Sequence, residues 1–476
     1  ESRGLGDVYK RQIQQIALDL AKKITEKWIN DGITDLDLFS ADVTEDCKQS
    51  AVAIVEAILE HMNKQIREDK ETRKNLGLAI KEKDRKREIL TTLGQIHYKR
   101  DYYQSKYDKS YVYLLDSAIG VRGYERIGDT VSAELLNMAS EVSYAQSSEL
   151  VTKGKVTRQS VRNHILRLEV PESRPKEIKK EVETLHIFAD EDHVHMQKPS
   201  KKRGKKNRIV PLVTVTEGIE KESKGRNKTI NAKHFTDEKF DTDNLWKSVE
   251  GYIGMAYDIE KEMVIYIHGD GGRWISNGLE SFANVKRVMD GYHIGKRLYA
   301  FSKEFGRKAK LKIEKAIKEK DRNSVDNTLQ ELLSDETDKD RIEKIKAFGT
   351  HLNLNWESIT NRYEDKMTGS CTEPQVSHVL SKRFSRNPMG WSEEALGKLT
   401  GIRVYLKNGD KIKAEHIKPK KRVAKYREYA DKIVKDVMKE GLDWSVFDVQ
   451  APVFNTGSGT QIRIHGFGRI NNTLIN

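Results

Sequence analysis

Apolar residues in the N-terminal part of the chain recur at the spacing of an α-helix. Between Ile13 and Ile80 many of them stand three or four positions apart among charged residues, and the first proline is Pro171. This pattern predicts helices, interrupted by a loop in the Asp-rich stretch 31–46. Residues 91–103 read TTLGQIHYKRDYY, and their β-branched and aromatic side chains predict a short strand or a hairpin.

The helical pattern returns near Asp129 and is broken twice. Residues 131–139 and 144–151 each predict a helix, and Thr157 is placed to cap a further helix over 158–168. Two short helices joined by a glycine-containing turn fit a helix-turn-helix, whose second helix presents its first side chains to DNA bases. An ordinary helical hairpin fits equally well. The candidate DNA contacts of a helix-turn-helix here are Arg158, Gln159 and Arg162.

From residue 184 onward the apolar residues form short runs that predict strands. A helix is predicted between the second and third runs, at 244–255, and strands that alternate with helices indicate an α/β or α+β domain. Residues 300–348 then return to a strongly charged helical pattern, which predicts a helical insertion. The four predicted strands cover 184–189, 209–216, 263–267 and 285–289.

These patterns together predict an α+β, multidomain chain. Residues 7–12 read Asp-Val-Tyr-Lys-Arg-Gln, which is typical of a translated sequencing-adapter end, so we interpret residues 1–12 as an artefact. The remaining segments are a mostly helical region with a short β element at 13–125, a helix-turn-helix-like region and linker at 126–180, the first part of the core at 181–299, the helical insertion at 300–365, the second part of the core at 366–406 and a basic C-terminal region at 407–476.

Composition narrows the class of protein. The 476 residues include 86 Lys and Arg against 73 Asp and Glu, which leaves a formal charge of +13. No apolar run reaches the ~18 residues of a membrane span, and the start carries no apolar signal segment. Two cysteines cannot build a disulfide framework or a cysteine-based zinc module. We therefore expect a cytoplasmic protein, without membrane contact, that binds a polyanion.

Three carboxylates stand at positions suited to metal chemistry. Asp190 and Asp270 each follow an apolar strand, and Glu373 opens a helix for which Thr372 is the predicted N-cap. Carboxylates gathered from adjacent strand ends and a helix can hold two hard cations about 3.5–4 Å apart, the arrangement that serves phosphoryl transfer. A single Asp at a strand end is more often a turn former or a helix cap, so each acid taken alone indicates little.

Four sequence motifs follow one another along the second half of the chain: FADEDHVHMQ at 188–197, YIHGDGGRWI at 266–275, VMDGYHIGKRL at 288–298 and TGSCTEPQVSHVLSKRFSRNPMGWS at 368–392. With these motifs in this order, the sequence resembles the ISLre family of bacterial insertion-sequence transposases, which is related to the Mutator-like transposases. The resemblance covers most of residues 85–405, and the segments 89–103 and 113–120 are also similar to that family.

The resemblance implies an RNase H-like mixed β-sheet core with flanking helices, interrupted by a helical insertion and preceded by a mostly helical DNA-binding region. It further implies a catalytic triad of Asp190, Asp270 and Glu373 that holds two Mg²⁺ or Mn²⁺ ions. Asp192 is an alternative first acid, since alternate residues of a strand share a face. Asp290 and His293 are similar to the Cys/Asp-x-x-His feature of the Mutator-like group, which could brace the metal acids or contact the scissile phosphate. A capping Asp and a packing His are the alternative.

The activity implied by the resemblance is DNA transposition in the bacterial cytoplasm, at the nucleoid. Water would cut a phosphodiester at a transposon end, and the freed 3′-hydroxyl would attack target DNA without ATP. The expected partners are double-stranded DNA and further copies of the chain, in a homodimer or larger assembly.

Two basic stretches are the expected DNA backbone contacts, because clustered cations neutralise phosphates. Residues 407–427 carry nine bases against two acids, and the other stretch follows the first acid. Trp391 and Arg383 fall in the last family motif, with either a DNA-end or a core-packing role. The candidate contacts in the first stretch are Lys201, Lys202, Arg203, Lys205, Lys206 and Arg208.

Three other functions compete with this hypothesis. His193 and His195 share one side of a strand and suggest a metal-dependent hydrolase, but no further recognisable ligand set accompanies them. A DNA-binding protein derived from a transposase without catalysis is the second. The third is an RNase H-like nuclease that cleaves DNA without joining it.

Overall fold

The computed structural model describes residues 2–197, 207–223, 226–259, 262–364, 367, 369–387, 389–417, 429 and 432. It separates into two compact units, one formed by residues 1–128 with 419–476 and the other by 129–418. Both units combine helices and strands, which confirms the predicted α+β, multidomain class. No helix in the described ranges is long and apolar enough to cross a membrane.

The first unit packs helices on a small antiparallel sheet in the order β1-β2-β3. Its core includes Ile66 of the second helix and Tyr103 of the central strand, both fully buried. Below this apolar core Arg67 pairs with the buried carboxylate of Asp101 at 2.7 Å. The elements are α1 (Ser2–Asp31), α2 (Leu36–Glu68), α3 (Lys70–Asn75), β1 (Leu78–Leu90), β2 (Gln95–Ser105), β3 (Tyr111–Val112) and α4 (Leu114–Ala118).

Two predictions for this unit are wrong. The expected loop at 31–46 is mostly helix, because the Asp35 side chain accepts hydrogen bonds from the N–H groups of Asp37 and Leu38 and so starts α2 at residue 36. The helical pattern was also expected to continue to Ile80, whereas β1 begins at Leu78 and pairs with β2 over its whole length. The predicted hairpin at 91–103 is confirmed as β2 and the turn before it.

The second unit contains the mixed sheet and most of the helices. Its strands are β4 (Thr184–His195), β5 (Asn207–Thr216), β6 (Gly218–Ser223), β7 (Arg226–Ile230), β8 (Lys233–Phe235), β9 (Val264–Gly269) and β10 (Val285–Met289). Its helices are α5 (Asp129–Ala139), α6 (Tyr144–Thr152), α7 (Arg158–Arg167), α8 (Thr242–Ala256), α9 (Arg273–Asn277), α10 (Gly291–Phe305), α11 (Arg307–Lys318), α12 (Arg322–Ser334), α13 (Lys339–Leu354), α14 (Trp356–Thr360), α15 (Thr372–Val376), α16 (Lys382–Phe384), α17 (Glu393–Lys407) and α18 (Ala414–Ile417). A π-helical turn, Ser377–Ser381, joins α15 to α16.

Five strands form one sheet in the order β10-β9-β4-β5-β8. The strands β4, β9 and β10 run parallel, whereas β5 and β8 are antiparallel to their neighbours. The four predicted strands are all present in this sheet, and the helix predicted at 244–255 is α8. The short strands β6, β7 and β8 lie in a charged stretch that carried no strand signal.

The two faces of the β4–β9–β10 part of the sheet have different partners. Leu185, Ile187 and Ala189 pack with α8 in one apolar cluster. The alternate residues of β4, His186 and Phe188, stack with aromatic and imidazole rings of β9 on the other face. The alternation follows from the period-2 geometry of a strand, and it separates an apolar face from a face rich in polar groups.

The helical insertion is present, but its first helix begins at Gly291 instead of near residue 300. Helices α10 to α14 enclose a hydrophobic cluster of their own, with Ile313 fully buried at its centre. This cluster extends to Met289 at the end of β10, so the insertion is packed against the strand from which it departs.

Helix α17 approaches the segment after β8 very closely. A Cβ added at Gly397 would collide with the backbone carbonyl oxygen of Glu238, whereas a Cβ at Gly251 or Gly254 of α8 would meet no atom within 4 Å. The helix can therefore take its position only with a glycine at residue 397.

We expect Gly397→Ala to lower the free energy of unfolding by about 1–3 kcal/mol, because the backbone of Glu238 must move. The matched change Gly251→Ala in α8 should instead raise it by about 0.5–1 kcal/mol, since alanine is the better helix former and meets no neighbour. Thermal unfolding of the two variants beside the wild type measures both effects. Equal shifts in the same direction would show that the close approach at residue 397 is not a constraint.

Candidate functional site

Three carboxylates stand in register on three adjacent parallel strands: Asp190 lies within β4, just beyond its pairing with β9, and not at the strand end that was predicted, whereas Asp270 and Asp290 directly follow β9 and β10. Phe188 of β4 pairs with His268 of β9, and His268 pairs with Val288 of β10. Two positions further along each strand stand the acids, which therefore share one face and one edge of the sheet. We call this set, Asp190, Asp270 and Asp290, the acidic row.

Asp190 is the acid whose charge is most strongly disfavoured. Burial raises the pKa of this carboxyl to about 6, and the negative charges of Asp270 and Glu191 add to the effect. The backbone N–H of Glu191 donates to Asp190 Oδ1 at 2.8 Å and partly offsets the shift. A bound cation would stabilise the ionised form of Asp190 and so offset the unfavourable effect of burial.

Asp192, the alternative first acid, lies on the same face of β4 but deeper in the fold. Burial raises its pKa, which the hydroxyls of Ser381 and Ser385 partly offset. Its Oδ2 is buried without a hydrogen-bond partner in the part of the chain that the structure describes. Its neighbours are the serines of the π-helical turn and α16, whereas Asp190 interacts with Asp270, and this favours Asp190 as the member of the site.

Asp270 is exposed at the start of the loop after β9. The N–H of Gly272 donates to its Oδ1 at 2.8 Å, which fixes the side chain at the end of the strand. Gly271 adopts a positive φ of 93°, a backbone conformation that favours glycine. The Gly-Asp-Gly-Gly sequence therefore turns the chain sharply while it leaves the carboxylate accessible.

Asp290 joins three elements instead of standing free. It caps α10 by accepting from Tyr292 N–H at 2.9 Å, and its Oδ2 lies 3.4 Å from His293 Nδ1. Its Oδ1 accepts from the Ser370 hydroxyl at 2.6 Å. Although burial opposes the change, these donors lower the pKa of Asp290, with Ser370 the largest of them. Asp290 therefore remains ionised and braces the loop that precedes Glu373.

Glu373 lies on a short helix next to the sheet. Helix α15 packs against β4, and the hydroxyls of Ser370 and Thr372 lie 3.0 Å apart in the loop before it. The predicted cap is wrong: α15 includes the buried Thr372, and Cys371 precedes it without a side-chain cap. Glu373 itself is exposed. No three His, Cys, Asp or Glu side chains in the described ranges already converge as metal ligands.

His293 lies next to the acidic row. Its charge acts on Asp190 to lower the pKa of that carboxyl, against the larger effect of burial. Its own side chain is about one-third exposed, and it pairs with Asp290 in the first turn of α10. The structure thus places His293 both as a brace on Asp290 and at the surface of the site.

Arg362 is a site residue that the sequence did not reveal. Its guanidinium lies against Gly291, where any Cβ would collide with it, and near enough to His268 to lower the pKa of that buried imidazole beyond the effect of burial. Among the described residues it has no hydrogen-bond or ion-pair partner. A cation beside the acidic row is therefore available for an anionic ligand. The one sequence signal was a glycine in the first turn of a helix, where alanine is preferred by about 1 kcal/mol.

The turn that carries Arg362 is fixed on both sides. Asn361 Nδ2 donates to the backbone carbonyl of Arg287 at 2.9 Å. Glu364 accepts from the Tyr266 hydroxyl at 2.8 Å and from Lys286 Nζ at 2.9 Å. Because these contacts hold the 3₁₀ turn Asn361–Tyr363 on β9 and β10, the guanidinium is positioned by a rigid support.

The region for which a helix-turn-helix or a helical hairpin was predicted folds as three helices that pack on one another, α5, α6 and α7. The turn after α6 passes through Lys153 and Gly154 with positive φ, and the Thr157 hydroxyl accepts from Ser160 N–H to cap α7. At the start of α7 Arg158 and Gln159 are exposed, whereas Arg162 is half-buried. Whether this region binds DNA stays a prediction.

The basic stretches are only partly described. Lys201, Lys202, Arg203, Lys205 and Lys206 lie outside the described residues, as does the chain from 418 onward except for Tyr429 and Lys432. Arg208 lies on β5, where it pairs with Glu393 at 3.1 Å and stacks on Phe240. That guanidinium is therefore engaged within the protein.

Arg383 is buried, with 2% of its surface exposed. Its Nε and one terminal nitrogen donate to the carbonyl of Ala139 at 3.1 Å, and the guanidinium lies 4.8 Å from the ring centre of Trp391. It thus satisfies the C-terminal end of α5. Of the two roles predicted for Arg383, core packing is the one these contacts favour.

The histidines that suggested a metal-dependent hydrolase lie in different surroundings. His193 and His195 are exposed on β4. His234 is buried and bonds Thr214 at 2.9 Å, and His268 bonds His186 at 3.1 Å beneath the acidic row. Burial lowers the pKa of His234 to about 4, which favours a neutral structural imidazole.

Comparison with known proteins identifies relatives over most of the chain. A model of the uncharacterised protein family UPF0236 matches residues 28–421. A UPF0236 protein of Caldanaerobacter subterraneus subsp. tengcongensis is 37% identical over 416 residues, 85% of this chain and 85% of the relative, and its name joins eleven locus designations. Another from that organism, whose name joins four, is 36% identical over the same shares. A UPF0236 protein in the vanSb 3′ region of Streptococcus gallolyticus is 24% identical over 289 residues, 57% of this chain and 61% of the relative.

We expect Asp190→Asn to stabilise the protein at neutral pH. The folded carboxyl has a raised pKa, so its contribution to stability is fully present below pH 4 and is lost as the pH rises toward 6. Asparagine keeps the acceptor for the Glu191 N–H without the charge. The free energy of unfolding should rise by about 1–2 kcal/mol at pH 7.5, after allowance for the partial exposure of the side chain. This increase should become smaller toward pH 4.

Thermal unfolding at pH 7.5 and at pH 4.5 checks this expectation, with Glu343→Gln on the exposed side of α13 as the control. The control should show little change at either pH. A destabilised Asp190→Asn at pH 7.5, or a gain of the same size at both pH values, would contradict the raised pKa.

Proposed function

The chain belongs to the uncharacterised protein family UPF0236, and on that footing we propose that it is a DDE transposase of a bacterial insertion sequence. It would bind transposon-end DNA, cleave it and join it to a target. The observation that carries the proposal is the acidic row: carboxylates in register on adjacent parallel strands, with a further acid on α15, the helix that packs against β4.

The order and the directions of the strands in the five-stranded sheet support an RNase H-like core. The central strand, β4, has two parallel strands, β9 and β10, on one side. On the other side β5 is antiparallel to β4, and β8, which is antiparallel to β5, runs in the same direction as β4. The polar ends of the parallel strands meet at one edge, where ligands of open mixed sheets usually bind. The insertion between Asp290 and Glu373 agrees with the split core that the ISLre resemblance implies.

The donor set fits a hard divalent cation. Asp190, Asp270 and Glu373 offer only carboxylate oxygens, which suit Mg²⁺ or Mn²⁺, and the raised pKa of Asp190 is the mark of a carboxylate that lacks a counter-charge. Two such ions would lower the pKa of a bound water and neutralise the leaving oxygen. Asp290 and His293 would orient these ligands from behind through Ser370 and α10.

Arg362 would supply the positive charge at the reacting phosphate. A guanidinium donates two parallel hydrogen bonds to phosphate oxygens, and a preorganised donor is worth most where charge develops in the transition state. The fixed 3₁₀ turn and the absence of a side chain at Gly291 hold it there without an internal partner among the described residues.

The reaction balances without an external energy source. In the first step water forms a bond to phosphorus, the bond from phosphorus to the 3′-oxygen breaks, and the proton passes to a carboxylate or to solvent. In the second step the freed 3′-hydroxyl attacks a target phosphodiester, and a target 3′-hydroxyl leaves. One phosphodiester replaces another in this second step.

The names of the relatives support a mobile element. Eleven and four locus designations joined under single names, in one organism, are the pattern expected of a gene that has multiplied within a genome. The DNA partner, the helix-turn-helix contact, the assembly of two or more copies on paired transposon ends and a place at the bacterial nucleoid are parts of the same proposal.

Two other functions remain as outcomes of the test. A transposase-derived DNA-binding protein would bind the terminal repeats and leave them intact. A nuclease of the same core would cut them and leave the 3′-ends unjoined.

We expect Mg²⁺-dependent cleavage and joining of labelled terminal-repeat DNA, taken from the sequence that flanks the gene. Asp190→Asn, Asp270→Asn and Glu373→Gln should each lower the cleavage rate at least a thousandfold while DNA binding stays within twofold. Glu343→Gln is the charge-matched control and should cleave like the wild type. Cleavage by Asp270→Asn at the wild-type rate would refute the proposed triad.

We also expect Arg362→Gln to lower the cleavage rate by about a hundredfold or more, as the loss of one transition-state donor does elsewhere. Arg362→Lys should recover part of this loss, and Gly291→Ala should act in the same direction because its Cβ displaces the guanidinium. Arg297→Gln on the exposed side of α10 removes the same charge as a control. If Arg362→Gln and Arg297→Gln changed DNA binding and the cleavage rate by equal amounts, Arg362 would act only through its positive charge and not as a positioned donor to the phosphate.

A further inference from the structure

The first unit carries an ordered group of tyrosines on its sheet. The ring of Tyr102 on β2 stacks on Tyr111 of β3 at 4.9 Å between centres and 9° between planes. It also lies 4.6 Å from the ring of Tyr113 at 32°. Tyr124 lies in the loop that Arg87 of β1 binds through the carbonyls of Arg122 and Glu125. It also adds to the rise that burial and the other tyrosines cause in the pKa of Tyr102. We call these four residues the tyrosine surface.

Arginines fix the inner rings of this surface. The guanidinium of Arg85 lies 5.6 Å from the ring centre of Tyr102 and 5.9 Å from that of Tyr113. Arg100 lies 3.5 Å from the Tyr113 ring and is paired with the buried Asp116. Stacked aromatic and guanidinium planes at these distances form a rigid platform.

The outer rings are unusually exposed for aromatic side chains. Tyr111 is 54% exposed and has one ring contact in the described ranges, with Tyr102, while Tyr124 is 98% exposed. A core-packing role does not account for rings that remain in water. Exposed aromatic groups that cluster on one surface are typical of a binding site.

The loop that presents Tyr124 is held in a strained conformation. Tyr124 has a φ of +60°, which is uncommon for a residue other than glycine and is tolerated where surrounding contacts impose it. Glu125 accepts from the backbone N–H and the guanidinium of Arg122 at 2.7 and 2.9 Å. Arg87 donates to the carbonyls of both residues. These contacts fix the backbone on both sides of Tyr124, whose ring extends into solvent.

The charge beside the surface is positive. Along the exposed middle of β1, residues 81–87 carry five bases and two acids. Asp84 is already paired with Arg67 at 2.5 Å, and Glu82 with Arg85 at 3.6 Å. The exposed cations that have no such pair on this strand include Lys81, Lys83 and Lys86. A polyanion is therefore the partner that the charge favours.

We propose that the tyrosine surface binds single-stranded nucleic acid, with unpaired bases stacking on Tyr111 and Tyr124 and the phosphates facing the cations of β1. Aromatic faces beside basic strands are the means by which proteins bind single strands without reading sequence. The inference goes beyond the catalytic proposal and does not require it, because it concerns the first unit and is measured as binding.

The test is the affinity of the full chain for a labelled oligothymidylate of about 20 nucleotides, compared with a duplex of equal length at the same salt. Tyr111→Ala and Tyr124→Ala should each weaken single-strand binding by about fivefold or more and leave duplex binding within twofold. Tyr111→Trp and Tyr124→Trp should retain the wild-type affinity, since stacking survives. Tyr107→Ala is the matched control, because Tyr107 is 78% exposed outside the tyrosine surface.

Equal affinity of both alanine variants and the Tyr107→Ala control for the single strand would overturn the proposal. Weakening that is the same for duplex and single strand would also overturn it, because stacking needs unpaired bases. Glu343→Gln, on the exposed side of α13 and outside both proposed sites, is expected to bind the single strand like the wild type. A failure of this inference is thereby distinguishable from a failure of the catalytic proposal, which is judged on cleavage.

Discussion

The placement of three carboxylates side by side in the acidic row, with Asp190 and Asp290 shielded from water, is the constraint on which the rest of the site in the second unit depends. The parallel register of β4, β9 and β10 places Asp190, Asp270 and Asp290 side by side, where like charges disfavour one another. The surroundings of the three carboxylates differ. Asp290 is satisfied by Ser370 and the start of α10, Asp270 is exposed to water, and Asp190 alone keeps a pKa raised to about 6. The ionised form of Asp190 therefore destabilises the fold at neutral pH. Groups with strongly shifted pKa values cluster at functional sites.

The loop before Glu373 and the turn that carries Arg362 are both positioned by contacts with β9, β10 and Asp290. The hydrogen bond from Ser370 to Asp290 sets the loop that leads into Glu373, and the contacts of Glu364 and Asn361 with β9 and β10 set the turn that carries Arg362. Two segments that are distant in sequence are therefore brought to the acids by side chains of the same strands. A rigid sheet with polar anchors at one edge gives the precision that catalysis on a phosphate requires.

The helices and strands that could be predicted from the sequence were those marked by a pattern within a short stretch of residues. Strand β10 was predicted with its observed bounds, because an apolar run ends there at Asp290, and α8 and α7 were marked by periodicity and by Thr157. Strand β1 was missed because its middle is charged and exposed on a sheet, so no alternation of apolar residues marks it. Arg362 and the anchor Ser370 could not be predicted, since their roles arise from contacts between segments about 70 to 80 positions apart in the chain. Arg383 illustrates the reverse case, in which a basic residue within a motif serves the packing of α5.

The contact between Gly291 and Arg362 has a consequence for how the chain can change. These residues stand at the two ends of the helical insertion, so the segment leaves the sheet and returns to it at the same point. Because its ends already meet and its helices share a separate apolar cluster, lengthening or shortening it adds only the weak logarithmic cost of a longer loop. Helices could be gained or lost between these two residues over evolution while the geometry of the acids stayed the same. The insertion is thus the region of the core where related proteins have the most freedom to diverge in size.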